Sequence, residues 1–185
     1  MKAQRSSLKY WLAILVLLLL VSGCAPGFVT KTQIEITEPI PQNALNYAIQ
    51  NIDKPYVYGG QGPDEFDCSG IIICAYEDAL QSPIYLMNKR EEICDDVTID
   101  ELYKYNVRLI SKDEVQPGDI VFITNEDDHI THGGLFIRWK EENSLEFINA
   151  SSYYGKTLID DWTLGGTKRG QWVAGFGRLK IIQSK

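Results

Sequence analysis

Histidine is almost missing from this chain: its 185 residues include two, His129 and His132. Chemistry that needs an imidazole therefore has two candidates. A zinc site made from Cys68 and both histidines fails on spacing, because residues three apart share a helix face but not the face of the strand expected here. Cysteine is scarce too, with four in all. If Cys24 is modified, Cys68, Cys74 and Cys94 remain, an odd number that excludes a fully paired disulfide framework and frees at least one thiol for other work. A pairing of Cys74 or Cys94 stays open. Positive charge is in deficit, with 18 basic against 25 acidic residues and a net charge of -7. An acidic surface repels phosphate backbones, which excludes nucleic acid as a natural partner. Repeats and long low-complexity tracts are absent. What is present, 44% apolar and 23% charged residues, is ordinary globular material with room for one domain.

Residues 1–23 differ from the rest. Lys2, Arg5 and Lys9 precede the apolar run Trp11 to Val21, and Val21-Ser22-Gly23 are small residues before Cys24. The run is shorter than the roughly 20 apolar residues a spanning helix needs, so the segment reads as an export signal. Without it the chain has fifteen basic and twenty-five acidic residues, a net charge of -10. The stretch Leu20-Val21-Ser22-Gly23-Cys24 resembles a bacterial lipobox, with Val21 in the slot usually held by Leu. That resemblance implies acylation of Cys24 and a domain tethered to a membrane leaflet through lipid chains. Ala25, by its resemblance to Gram-negative lipoproteins, directs the expectation to the periplasmic face of the outer membrane. A transmembrane anchor and a plain secretory signal with a chance cysteine are the alternatives.

Residues 24–42 carry Pro26, Pro39 and Pro41 and read as a lipidated N-terminus with a flexible tether. The folded domain is expected over 43–185. It opens with a short helix capped by Asn43 that presents Ala44, Leu45, Ala48 and Ile52 on one face. After a Gly/Pro-rich loop, Cys68 to Leu80 reads as a helix capped by Asp67, since it exceeds usual strand length. A shorter helix is expected from about Thr98 to Tyr105, then a turn at Gln116-Pro117-Gly118-Asp119. Beyond it, 119–123, 132–139, 144–150 and 171–182 alternate with polar turns as strands. Helices first and an antiparallel meander afterwards give a single α+β domain.

Within this plan Cys68 opens a helix, where unpaired N–H groups and the positive end of the dipole favour a thiolate. Cys74, six residues further in, is expected to be buried and inert. Of the two imidazoles, His129 follows the acidic run 125–128, whereas His132 opens a strand and is held rigidly enough to act as a base. Asn149, on the next expected strand, can orient the ring.

Taken in order, "PYVYGG", "FDCSGII", "PGDIVFI", "HGGLFI" and "FINAS" resemble the NlpC-type family of bacterial cell-wall cysteine endopeptidases, from about Asn43 to Lys180. The resemblance implies a compact papain-like fold acting on peptidoglycan peptides; no cofactor or metal is expected, and the domain is expected to be a monomer. It implies Cys68 as nucleophile, His132 as general base and acid, and Asn149 in a third position where His is the commoner residue. It also implies Tyr56 as a second oxyanion donor and Asp67 and Ser69 as substrate-subsite residues, Asp67 suiting an ammonium. Bland roles compete: Asp67 as helix cap, Ser69 as partner of a backbone group, Tyr58 as a core aromatic with Tyr56 in loop packing. Family members cut the γ-D-glutamyl–diaminopimelate bond or the cross-link made by D-alanine. The chain departs from the family in Gly133, where valine is familiar, and in lacking an SH3-like or LysM-like wall-binding module. A papain-like amidase or acyltransferase and a catalytically weak wall-binding lipoprotein are the other readings.

Overall fold

The computed structural model describes residues 31–127 and 129–184. The expected signal, Cys24 and Ala25 lie outside the described residues. From Lys31 the chain runs in the order β1 (Lys31–Glu35), α1 (Ile40–Gln50), α2 (Cys68–Leu80), β2 (Leu86–Met87), β3 (Ile93–Cys94), α3 (Ile99–Tyr105), β4 (Val107–Ile110), β5 (Ile120–Thr124), β6 (Ile130–Glu141), β7 (Ser144–Ser151), β8 (Lys156–Thr163) and β9 (Trp172–Ser184). Seven strands form one sheet in the order β1-β9-β5-β6-β7-β8, with β4 also on β9, and β2 pairs with β3 apart from it. This is the expected α+β architecture.

Two boundaries differ from the sequence reading. The tether does not extend to residue 42, because 31–36 join the sheet: the Ile36 N–H donates to Leu179 O (2.8 Å), and Glu35 pairs with Arg108 (2.7 Å). Nor does Asn43 cap the first helix. That helix begins at Ile40, Asn43 N–H already donates to Pro39 O (3.1 Å), and Pro41 lies buried in the first turn. Proline fits there because the first helical N–H groups have no partner to lose. Ala44, Leu45 and Ala48 are buried as expected, whereas Ile52 lies past the helix end and is partly exposed.

Apolar residues occupy both faces of the central strands. Ile120, Phe122, Leu135 and Ile148 join α1 and α2 in the larger core, while Val121, Ile123, Phe136 and Phe147 join Trp162 and Phe176 on the opposite face. Double burial explains why "DIVFI" is a continuous apolar run rather than an alternating one. Helix α2 is apolar nearly all round because it is enclosed: Ile71, Ile72, Ile73, Ala75 and Tyr76 are buried, and it packs on α1, β6 and β7. Its buried Tyr76 hydroxyl donates to Gly118 O (2.9 Å), tying the helix to the turn that starts β5.

That Pro-Gly-Asp turn is structural. Gly118 has φ +92°, and Asp119 N–H donates back to Gln116 O (3.0 Å). The fully buried Asp119 carboxylate accepts from Arg178 on β9 (2.9 and 2.8 Å) and from Gln116 N–H (2.8 Å). A paired, hydrogen-bonded carboxylate tolerates such burial; an unpaired one would not.

Candidate active site

Asp67 sets the start of α2. Its Oδ1 accepts from Ser69 N–H (3.1 Å), Gly70 N–H (2.7 Å) and the Ser69 hydroxyl (3.0 Å), and its Oδ2 accepts from Gly59 N–H (2.9 Å). One carboxylate therefore caps the helix and pins the preceding loop to it. Gly70 permits the contact: a Cβ there would lie 2.0 Å from Gly60 O. The cap roles of Asp67 and Ser69 are thus visible in the geometry. Both remain beside Cys68 at the start of α2.

Cys68 stands at the first helical position, and the N–H groups of Cys68, Ser69 and Gly133 act on its sulfur. Sequence reasoning expected the helix end to depress its pKa. Burial outweighs it, the Asp67 carboxylate adds to the effect, and the thiol is pushed up to about 12. A thiol so placed keeps its proton until a base removes it.

His132, the expected base, stands on β6, and Gly133, whose N–H acts on the Cys68 sulfur, directly follows it. His132 Nε2 lies 2.9 Å from Asn149 Oδ1, and Asn149 Nδ2 donates to Leu158 O on β8 (3.4 Å). With Nε2 carrying the proton to Asn149, Nδ1 is left to accept one. Burial holds His132 below its ordinary pKa of 6.5, while the Asn149 bond and the Asp160 charge pull it upward and Arg169 pulls it down. The ring is therefore neutral at neutral pH. His129 sits exposed in the β5–β6 turn.

Gly133 has a packing reason as well. A Cβ there would come within 2.7 Å of Ile99 Cδ1 and 2.8 Å of Val121 O, so Ile99 of α3 occupies the space a valine would need. Tyr56 is half-buried against the core, and its phenol is held above its ordinary pKa by burial and by the neighbouring Cys68 and Asp67. Tyr58 is 87% exposed, which removes it as a core aromatic. Cys74 is only partly buried; its thiol donates to Gln61 O (2.9 Å) and is pushed up to about 11 by burial and by Glu77, Asp67 and Asp96. Cys68, Cys74 and Cys94 are all free.

Sequence reasoning missed the surroundings of His132 on its far side. Asp160, Arg169, Tyr153 and Ser151 line a small cavity with His132 and Asn149. Their signal was weak, because "KTLIDDWT" of β8 carries two acids in a half-buried strand and Arg169 lies in a turn.

The model of the NlpC/P60 family matches residues 53–172. Among curated proteins, "Probable endopeptidase p60" of Listeria grayi is 30% identical over 133 residues, 71% of this chain and 21% of that one. "Murein DD-endopeptidase MepH" of Escherichia coli is 28% identical over 120 residues, 63% of this chain and 40% of that one. This chain thus spans less than half the length of either. "Probable endopeptidase NlpC" of Escherichia coli is 27% identical over 145 residues, 77% of this chain and 83% of that one. Among solved structures, NlpC1 from Trichomonas vaginalis superposes with a TM-score of 0.57 at 24% identity, over 80% of this chain and 47% of that one. That likeness bears on the fold.

Proposed function

The chain belongs to the NlpC/P60 family, and on that premise we propose that it is a cysteine peptidase that hydrolyses an amide bond in peptidoglycan stem peptides or cross-links. The observation that carries the reading is the His132 Nε2 to Asn149 Oδ1 bond of 2.9 Å beside a thiol at a helix start. It leaves the other ring nitrogen available to the thiol, which is the arrangement acyl transfer requires.

In this mechanism His132 Nδ1 accepts the Cys68 proton as the sulfur bonds to the amide carbonyl carbon. The C=O electron pair moves onto oxygen, where the Cys68 N–H and the Tyr56 hydroxyl stabilise it. Collapse breaks the C–N bond, and the imidazolium returns its proton to the leaving amine. Water, deprotonated by the same ring, then releases the carboxylate from the thioester and restores the thiol. Asn149 holds the ring throughout. Asp67 and Ser69 meet the acyl side of the substrate, where the Asp67 carboxylate suits an ammonium group.

We also propose lipid attachment at Cys24 and a place on the periplasmic face of the outer membrane, as a monomer. Palmitate labelling lost in Cys24→Ser would support the anchor.

The main test is incubation of the purified protein with peptidoglycan and identification of products by mass spectrometry, beside Cys68→Ala, His132→Ala and His129→Ala. New muropeptides are expected from the wild type and His129→Ala, and a fall of about 100-fold or more in the other two. Equal release by wild type and Cys68→Ala would remove the nucleophile assignment.

A further inference from the structure

The His132–Asn149 pair borders a cavity of about 70 Å³. One water needs about 10–15 Å³ of such space, so the cavity has room for several waters or a small polar group. Its wall is polar, with the Asp160 carboxylate accepting from Lys168 Nζ (2.7 Å), Trp162 Nε1 (3.2 Å) and, at a longer 3.4 Å, Arg169 Nη2. Two cations thus face one acid. Lys168 reaches Asp160 from outside the cavity, whose own lining carries one cation, Arg169, and one acid, Asp160.

Arg169 is held in an unusual way. The Lys168 and Gln171 backbones exchange hydrogen bonds (2.8 and 3.1 Å), and Arg169 and Gly170 between them have φ of +56° and +74°. Both central residues of this two-residue turn are left-handed, a geometry that favours Asn, Asp or Gly and disfavours arginine. Its guanidinium lies 4.0 Å from the Tyr153 ring centroid and donates to Tyr154 Oη (3.2 Å). Stacking fixes the plane and leaves donors over, since a guanidinium has five N–H groups. Arg169 also opposes protonation of His132, so its charge works against the imidazolium that catalysis must form. A cation in a disfavoured backbone conformation beside the base, at a cost to that base, calls for an anion that arrives with the substrate.

We propose that Arg169, stacked on Tyr153 at the mouth of this cavity, binds a carboxylate on the leaving-group side of the substrate. The side follows from the chemistry: the leaving amine takes its proton from His132, so the residue bearing that amine lies against the imidazole. In both linkages considered above that residue is diaminopimelate, whose free carboxylate adjoins the leaving amine in the D-alanyl cross-link and sits on the other stereocentre in the γ-D-glutamyl linkage. Binding it neutralises Arg169 and makes His132 a stronger base once substrate is in place.

The inference rests on the proposed function for its substrate, so its test has two arms. In the first, peptidoglycan fragments with the diaminopimelate carboxylate free are compared with the same fragments carboxamidated. The wild type should favour the free acid by about tenfold, chiefly through KM, because a charge-assisted bond is lost on amidation. Arg169→Gln should bring the two within about twofold, and Arg169→Lys should keep part of the preference. In the second, meso-diaminopimelate and its diamide are titrated into histidine-labelled Cys68→Ala protein, with and without Arg169→Gln. The His132 resonance should move with the diacid only when Arg169 is present. Equal turnover of both fragments by the wild type, or an equal loss on both in Arg169→Gln, overturns the subsite. A His132 resonance blind to the diacid does so too. Uncut peptidoglycan with an Arg169-dependent shift instead overturns the proposed function and leaves the subsite standing.

Discussion

At the scale of single residues, His132 is governed by opposing influences of named origin. Burial and Arg169 lower its pKa, while Asn149 and Asp160 raise it. In the proposed mechanism a neutral imidazole is the active form, so kcat/KM should fall as pH drops through the ring's pKa, with a midpoint below 6.5. Asn149→Ala removes a raising influence. Its acid limb should move to lower pH, and its plateau should fall by about 100-fold because the ring loses its orientation. Arg169→Gln removes a lowering influence, and its limb should move to higher pH. A pH–rate series on the three proteins checks both signs, and limbs moving the same way would refute this account of the ring. Cys68, pushed up to about 12, makes the same point from the other side. In the proposed mechanism a neutral thiol and a neutral imidazole therefore form the resting pair, and proton transfer belongs to the attack itself.

Among the elements, α2 carries the site, and its position depends on contacts at both ends. Asp67 caps the start with backbone bonds of 3.1 and 2.7 Å, and Gly70 lets Gly60 O approach where a Cβ would lie 2.0 Å away. Gly70→Ala should cost about 1–3 kcal/mol, seen as a fall in Tm of about 3–10 °C, because the obstacle is backbone and cannot rotate away. Activity should fall further than stability explains, since the displaced turn carries Cys68. Thermal unfolding and turnover measured on one preparation separate the two effects. An unchanged Tm would mean that the loop at Gly60 yields freely.

For the molecule as a whole, the sheet joins distant parts of the sequence through β9, which meets β1, β4 and β5. Asp119 and Arg178 form the central polar tie of this junction, the acid fully buried and the arginine also within 3.9 Å of Glu35. Asp119→Ala leaves a mostly buried guanidinium without its main partner and should cost about 3–5 kcal/mol. Urea unfolding measures it; a loss below about 1 kcal/mol would show that Glu35 takes over. The cleft is polarised on the same scale. Burial and the Asp67 carboxylate hold Asp96 above its ordinary pKa on the Cys68 side, while Arg169 and Lys168 stand on the His132 side. A substrate with an ammonium on its acyl part and a carboxylate on its leaving part matches this charge order.

The sequence alone determined what local rules control. An acidic cap before a long apolar run specified α2 and put Cys68 at its start. Thr98 with Glu101 specified the capping box of α3, and the apolar runs of β5, β6, β7 and β9 were legible by composition. Scarcity helped, because two histidines in different settings left a short search. Tertiary structure decided the rest. Segment 31–35 is a strand only because β9 offers an edge to it, and "KTLIDDWT" becomes β8 only because β7 pairs with it from Ser144 to Ser151. The raised pKa of Cys68 could not be read from its place at a helix start, since desolvation depends on everything packed around the thiol and here exceeds the help from nearby N–H groups. Arg169 reached the far side of His132 through a turn 37 residues downstream, a proximity set by the pairing of β6, β7 and β8 and by no local signal.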